Sequence, residues 1–139
     1  MVRVNIINPG KLSDQHLIAE YLEIMMLLGY AKKYPQSEGI PERYKLGKGH
    51  IKFFKNKLIY LQKRHEDIKK EMGKREFKVN KNIDLKGFDK SLMNDWKPRK
   101  EDFNIIKERI LWKIKNKPNW YRYYGEKKDF DFFEKLLEK

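Results

Sequence analysis

Cysteine is absent from the 139 residues, which removes disulfides, thiolate zinc sites, iron–sulfur clusters and thiol nucleophiles from consideration. With only 3 histidines, an all-protein metal site is not expected, and no cofactor motif is visible. No uncharged apolar run reaches the length of about 18 residues that crossing a bilayer requires. The opening MVRVNIINPG has no cationic segment followed by an apolar core, so no secretory signal is expected and the chain reads as intracellular and cytoplasmic. Internal repeats and low-complexity tracts are also missing.

Basic residues are what the chain has in excess. Lys and Arg number 33 against 20 Asp and Glu, a formal net charge of +13. That surplus on one small domain points to a polyanion, and nucleic acid comes first because each neutralised phosphate releases counterions. A membrane surface would want a basic amphipathic helix with a free apolar face. The plainest alternative is a solvated Lys-rich surface of the kind found in heat-adapted proteins. Apolar residues at 40%, with aromatics at 14%, suffice for one modest core.

Hydrophobic spacing predicts an all-α fold. Residues 1–12 read as an extended arm with a turn at Pro9-Gly10. Ser13 or Asp14 caps a first helix on Leu17, Ile18, Tyr21, Ile24, Met25 and Leu28, ending near Lys33 before Pro35. A loop over 34–47 precedes a second helix expected from Lys48 to Met72 on Ile51, Phe54, Leu58, Leu61, His65, Ile68 and Met72, with Gly73 as its stop. Residues 74–99 show no clear period, apart from a short helix expected between Phe88 and Trp96. A third long helix is expected from Lys100 to Lys115, and a short one over Asp129–Lys139 on Phe130, Phe133 and Leu137. Between them PNWYRYYG has no clear period, and no strand pair stands out.

Three groupings could carry chemistry. On the first helix His16, Glu20 and Glu23 share a sector of about 60°, where a carboxylate could act as acid, base or cation stabiliser. By spacing alone the commoner explanation is a solvated helix face. The segment LGKGH, with Lys48, could hold a phosphate on glycine and helix-start amides, or be a simple turn. His65 lies on an apolar stripe and reads as a core histidine. The cluster Asn119–Gly125 could stack on an exposed base or wedge a duplex, or plug the helices together.

Taken together, VRVN with LSDQHLIAEYLEI (2–24), LGKGHIKFFKNKLIYLQKR (46–64) and KPNWYRYYG (117–125) resemble the phage-type pyrimidine dimer DNA glycosylases with abasic-site lyase activity. That family was historically called endonuclease V and is unrelated to the deoxyinosine nuclease of that name. The resemblance implies a compact domain of three main helices, over 1–125, with the N-terminus lodged between them, and residues 126–139 as a C-terminal helical extension. It implies a monomer acting on damaged double-stranded DNA without cofactor, metal or membrane. It further implies that the nucleophile is the α-amine of Val2, exposed by removal of Met1, which forms a Schiff base at the sugar carbon C1′. Glu23 maps onto the family's catalytic carboxylate. Arg3, Gln15, His16, Lys48, Lys117, Trp120, Tyr121 and Arg122 are the expected DNA-binding residues.

The chain departs from the family where Leu22 and Met26 stand in place of arginines and Met25 in place of a proline. Those arginines help grip the damaged strand. Their loss bears on the lesion rather than on the glycosylase and lyase chemistry: cyclobutane dimers are the first expected substrate, with oxidised pyrimidines or abasic sites as alternatives. A non-catalytic DNA- or RNA-binding protein is the competing class, and Glu23 separates the two, since a pure binder gains nothing from a carboxylate facing phosphate.

Overall fold

The computed structural model describes residues 3–36 and 38–139. The first helix, α1 (Asp14–Lys33), begins where the Ser13 hydroxyl accepts the His16 N–H at 3.1 Å. It keeps Asp14 in its first turn and Lys32 and Lys33 in its last, complementing the helix dipole. Leu17, Tyr21, Ile24, Leu27, Leu28 and Ala31 form its buried face, which packs against α3 (Leu58–Lys74). The arm ahead of it is inserted as expected: Val4, Asn5, Ile6 and Ile7 are all buried.

The single second helix predicted for Lys48–Met72 is two. A short α2 (His50–Phe54) precedes α3, and the chain turns at 55–57. The Lys57 N–H closes a tight turn onto the Phe54 carbonyl at 2.9 Å, while its ammonium caps the Phe53 carbonyl at 2.7 Å. These contacts satisfy backbone groups that a continuous helix would have paired. Gly73 is not the stop either. The α3 helix runs to Lys74, and Glu76 takes the left-handed conformation at φ 64°. The Phe77 N–H reaches the Met72 carbonyl at 2.9 Å and the Glu76 N–H that of Gly73 at 3.0 Å, a Schellman closure with glutamate where glycine is usual.

Between Phe88 and Trp96 only one turn of 3₁₀ helix forms, Lys90–Leu92, capped by Asp89. The Asn94 amide donates to the Ser91 and Asn56 carbonyls, ending the turn. The next helix, α4 (Lys100–Asn116), buries Ile106, Ile110 and Ile114. Finally α5 (Phe130–Glu138), capped by Asp129, packs on α4 and on the Pro9–Lys11 turn through Phe133 and Leu137.

Among the described residues the fold is all-α apart from one antiparallel pair that the sequence reading missed, β1 (Arg122–Tyr123) with β2 (Glu126–Lys127). Its turn puts Tyr124 and Gly125 at φ 53° and 82°, and both backbone N–H groups donate to the Asp14 carboxylate, at 3.1 and 2.8 Å. Arg75 bonds Asp14 at 3.0 Å and Glu71 at 2.9 Å, with its guanidinium 4.7 Å from the rings of both Tyr123 and Tyr124. The hairpin is thereby tied to α1 and α3, which fixes the aromatic segment over one end of α1. No helix among the described residues is long and apolar enough to cross a membrane.

Candidate active site

A cleft of about 310 Å³ opens between the arm, α1, α4 and the loop before β1. The arm contributes Arg3 and Asn5, and α1 contributes Gln15, His16, Ala19, Glu20 and Glu23. Arg109, Ile110 and Lys113 come from α4, and Trp120 and Tyr121 from the loop. A larger hollow of about 590 Å³ lies between the arm and α3. Its lysines 63, 70 and 74 are matched there by Asp67, Glu71 and Asp95, and Lys63 pairs with Asp95 at 2.5 Å. Arg64 also lines the larger hollow and Glu20 the smaller cleft, and these two pair with each other at 2.6 Å. With that pair set aside the larger hollow is balanced, while the smaller cleft holds Arg3, Arg109 and Lys113 against Glu23, so it is the candidate site.

The polar face of α1 is not simply solvated. Glu20 is buried, bonded to Arg64 Nε at 2.6 Å and Nη2 at 3.0 Å, and Arg64 Nη1 also donates to the Ile7 carbonyl at 2.5 Å. That pair occupies both of its carboxylate oxygens. Glu23, one turn on, is half-buried, and burial raises its pKa. The nearby charge of Glu20 adds to the rise, while a hydrogen bond from the Arg3 backbone and the Arg3 charge oppose it. Glu23 is thus the carboxylate left to do work in the cleft.

His16 is held by its own helix cap, Nδ1 lying 2.8 Å from the Ser13 hydroxyl, and its ring stacks on Tyr121 at 4.8 Å and 11°. Burial, with Lys113 and Arg3 nearby, lowers its pKa to about 4. At neutral pH it is a neutral imidazole. Among the described residues three cations line Glu23's cleft: Arg3, whose pKa is lowered by burial and by Arg109, then Arg109 and Lys113 themselves. The Arg109 Nε has no hydrogen-bond partner among the described residues. Such an arrangement suits an anionic ligand whose reacting centre sits beside one carboxylate.

The sequence-predicted residues divide. Gln15, His16, Glu23, Arg3, Trp120 and Tyr121 line the cleft together. Gln15 also braces the loop, donating to the Trp120 carbonyl at 2.8 Å and accepting the Arg122 N–H at 2.9 Å. Tyr121 is buried and Trp120 is 50% exposed, so of these two rings Trp120 is the free one. Lys48, Lys117 and Arg122 are exposed and do not line the cleft. The Lys117 ammonium lies 4.8 Å from the Trp120 ring, and Arg122 Nη1 donates to the Gly125 carbonyl at 3.0 Å. Val2 lies outside the described residues. Asn5, Arg109 and Lys113 were not foreseen. The (i, i+4) pair of cations on the edge of the α4 stripe was a usable signal, but nothing in the sequence joined α4 to α1.

Within LGKGH the histidine turns inward while Gly47 and Lys48 stay exposed. His50 Nε2 accepts the Val4 N–H at 2.9 Å and its Nδ1 donates to the Lys45 carbonyl at 2.8 Å, while the Tyr44 hydroxyl donates to the Val4 carbonyl at 3.1 Å. Both backbone groups of Val4 are therefore gripped, which fixes Arg3 beside it. Nε2 can accept only when the ring is neutral, and burial lowers the His50 pKa below 6.5. A lowered folded pKa contributes stability above the unfolded value that is lost as pH falls through the folded one. Thermal melting should accordingly weaken between pH 7.5 and 5, and His50→Gln, which keeps an acceptor without titrating, should show a smaller drop. An unchanged drop would leave the loss to His16 and His65, whose pKa values burial also lowers.

No group of three or more His, Asp or Glu among the described residues is arranged to hold a metal ion. The sequence profile of the pyrimidine dimer DNA glycosylases matches residues 1–85. That stretch carries Arg3 and the whole α1 face of the cleft. The α4 cations and the aromatic loop lie beyond it.

Proposed function

The chain belongs to the pyrimidine dimer DNA glycosylase family, and we propose that it excises damaged pyrimidines from double-stranded DNA, cyclobutane dimers first, and then cuts the strand by abasic-site lyase chemistry. The observation that carries this reading is Glu23, a half-buried carboxylate with a raised pKa in a cleft that also holds Arg3, Arg109 and Lys113. A purely phosphate-binding surface has no use for a negative charge there.

In the proposed reaction the α-amine of Val2, freed by loss of Met1, attacks C1′. The C1′–base bond breaks and the base leaves with its electron pair, protonated as it goes. Opening of the sugar ring gives a Schiff base. Removal of a C2′ proton then expels the 3′ phosphate by β-elimination, and water releases the amine. An α-amine has a pKa near 7.7–8.0 against about 10.4 for lysine, so a useful fraction is unprotonated at neutral pH. Glu23 would stabilise the cationic sugar and carry protons in imine formation and elimination. Arg109 and Lys113 would hold the flanking phosphates, and neutral His16 would line the sugar pocket without adding charge. The protein would act as a monomer, without metal or cofactor.

Incision of a panel of duplexes tests this: cyclobutane dimer, thymine glycol, abasic site and undamaged. The proposal expects cutting of dimer and abasic duplexes. Cutting of thymine glycol in place of the dimer would move the lesion class, and no cutting of any would leave a DNA-binding protein. Trp120→Ala should lower cleavage of damaged duplex about tenfold or more with little loss of melting temperature, since half-exposed rings contribute by stacking. Tyr121→Ala, by contrast, removes a buried ring and should cost about 3–5 kcal/mol of stability. Equal destabilisation by the two would make Trp120 a packing residue.

A further inference from the structure

Large exposed apolar side chains sit on the two helices that wall this cleft. Leu22 and Met26 on α1 are 44% and 63% exposed, and Trp112 on α4 is 53% exposed. At about 100° per residue each helix runs in the same order from core to cleft to apolar flank. On α1 Ile24 faces the core and Glu23 the cleft, with Met26 and Leu22 about 60° and 100° beyond Glu23 on the side away from the core. On α4 Ile106 and Ile110 face the core and Arg109 the cleft, with Trp112 about 60° beyond Arg109. Both banks of the cleft therefore end in apolar surface set directly beside charge. The Trp112 ring is 4.7 Å from the Arg109 guanidinium and 5.9 Å from the Lys113 ammonium.

We propose that Leu22, Met26 and Trp112 form a rim that seats the apolar faces of unstacked nucleobases. This deepens the reading of the cleft as a DNA site. The ligand that fits cations and apolar surface in alternation is a polymer that is anionic along its backbone and apolar on its ring faces. An intact duplex offers phosphates and base edges but hides those faces in the stack, so the rim has an occupant only where a strand is opened. Phosphates held at Arg109 and Lys113 bring the neighbouring bases to the Trp112 indole. Leu22 and Met26 meet bases on the opposite bank, next to Glu23. Recognition at these positions is thus by stacking and apolar contact and carries little salt dependence, whereas cations there would have read phosphates.

The test is binding of a duplex containing an uncleavable abasic analogue, compared with the same intact duplex, across a salt series. The Leu22→Gln/Met26→Gln double variant and Trp112→Ala should each weaken the abasic duplex about tenfold or more. Affinity for the intact duplex and the slope of log K against log salt should stay unchanged, and Trp112→Phe should keep most of the affinity. All these side chains are exposed, and unchanged melting temperatures confirm folded variants. Equal losses on both duplexes, a shallower salt slope or no loss at all overturns the rim. Because binding alone is read, an enzyme that cuts normally with a silent rim overturns only this inference. Rim-dependent binding by a protein that cuts nothing overturns the proposed chemistry and leaves the rim standing.

Discussion

Glu23→Gln should lower cleavage of an abasic duplex by about two to four orders of magnitude, the range a positioned acid–base group supplies, while DNA binding holds or tightens. The substitution keeps the shape and removes the charge of the cleft carboxylate that Arg64 does not hold, Glu20 being committed to that pair. Binding should not suffer, since a negative charge leaves a surface that holds Arg3, Arg109 and Lys113. The wild-type pH profile should agree. Burial raises the Glu23 pKa, so the carboxylate form is lost at a higher pH than for an ordinary glutamate, and cleavage should fall on the acid side accordingly. Single-turnover cleavage and equilibrium binding on the same duplex separate the two effects. Unchanged cleavage would remove Glu23 from the chemistry.

A large stability effect is expected at Arg64. Its side chain is buried, spans from α3 to Glu20 on α1, and also bonds the Ile7 carbonyl of the arm. Arg64→Ala strands a carboxylate that is only 1% exposed. Breaking one side of such a pair costs about 3–5 kcal/mol, which lowers the melting temperature of a domain this size by roughly 10 °C or more. The double variant Glu20→Gln/Arg64→Met leaves no bare charge and should recover most of that loss. Were Arg64→Ala no worse than an exposed Lys→Ala change, the pair would not be holding the arm against α1 and α3. Cleavage by the double variant gives a further reading, since Glu20's charge contributes to the raised Glu23 pKa.

How far the sequence carried each part has a physical explanation. In α1 the cap at Ser13, the apolar stripe and the terminal lysines are all local signals, and all three survive in the fold. The break at 55–57 was invisible because Ile51, Phe54, Leu58 and Leu61 keep steps of three and four straight across it. The stop at Glu76 was invisible because glutamate rarely adopts positive φ, and Gly73 nearby offered a more conventional end. Strands of two residues are too short to show alternation, and the Asp14 carboxylate that holds their turn comes from the far end of the sequence. In the cleft, the helical wheel brought His16, Glu20 and Glu23 together, and only tertiary contact with Arg64 tells one glutamate from the other. Lys48, Lys117 and Arg122 came from the resemblance and lie outside the cleft, while Arg109 and Lys113, which do line it, were marked only by their (i, i+4) spacing, with nothing in the sequence to join α4 to α1. Adjacent Trp120 and Tyr121 differ only in which ring finds His16 to stack upon.

The most direct test of the proposed chemistry is borohydride trapping on an abasic duplex, followed by mapping of the cross-linked peptide. An amine catalyst that passes through a Schiff base is reduced to a stable covalent complex, and the account predicts that the modified residue is the processed N-terminus at Val2, with reductive methylation of that amine abolishing both trapping and cleavage. Trapping at an internal lysine, or cleavage by protein that retains Met1, would contradict it.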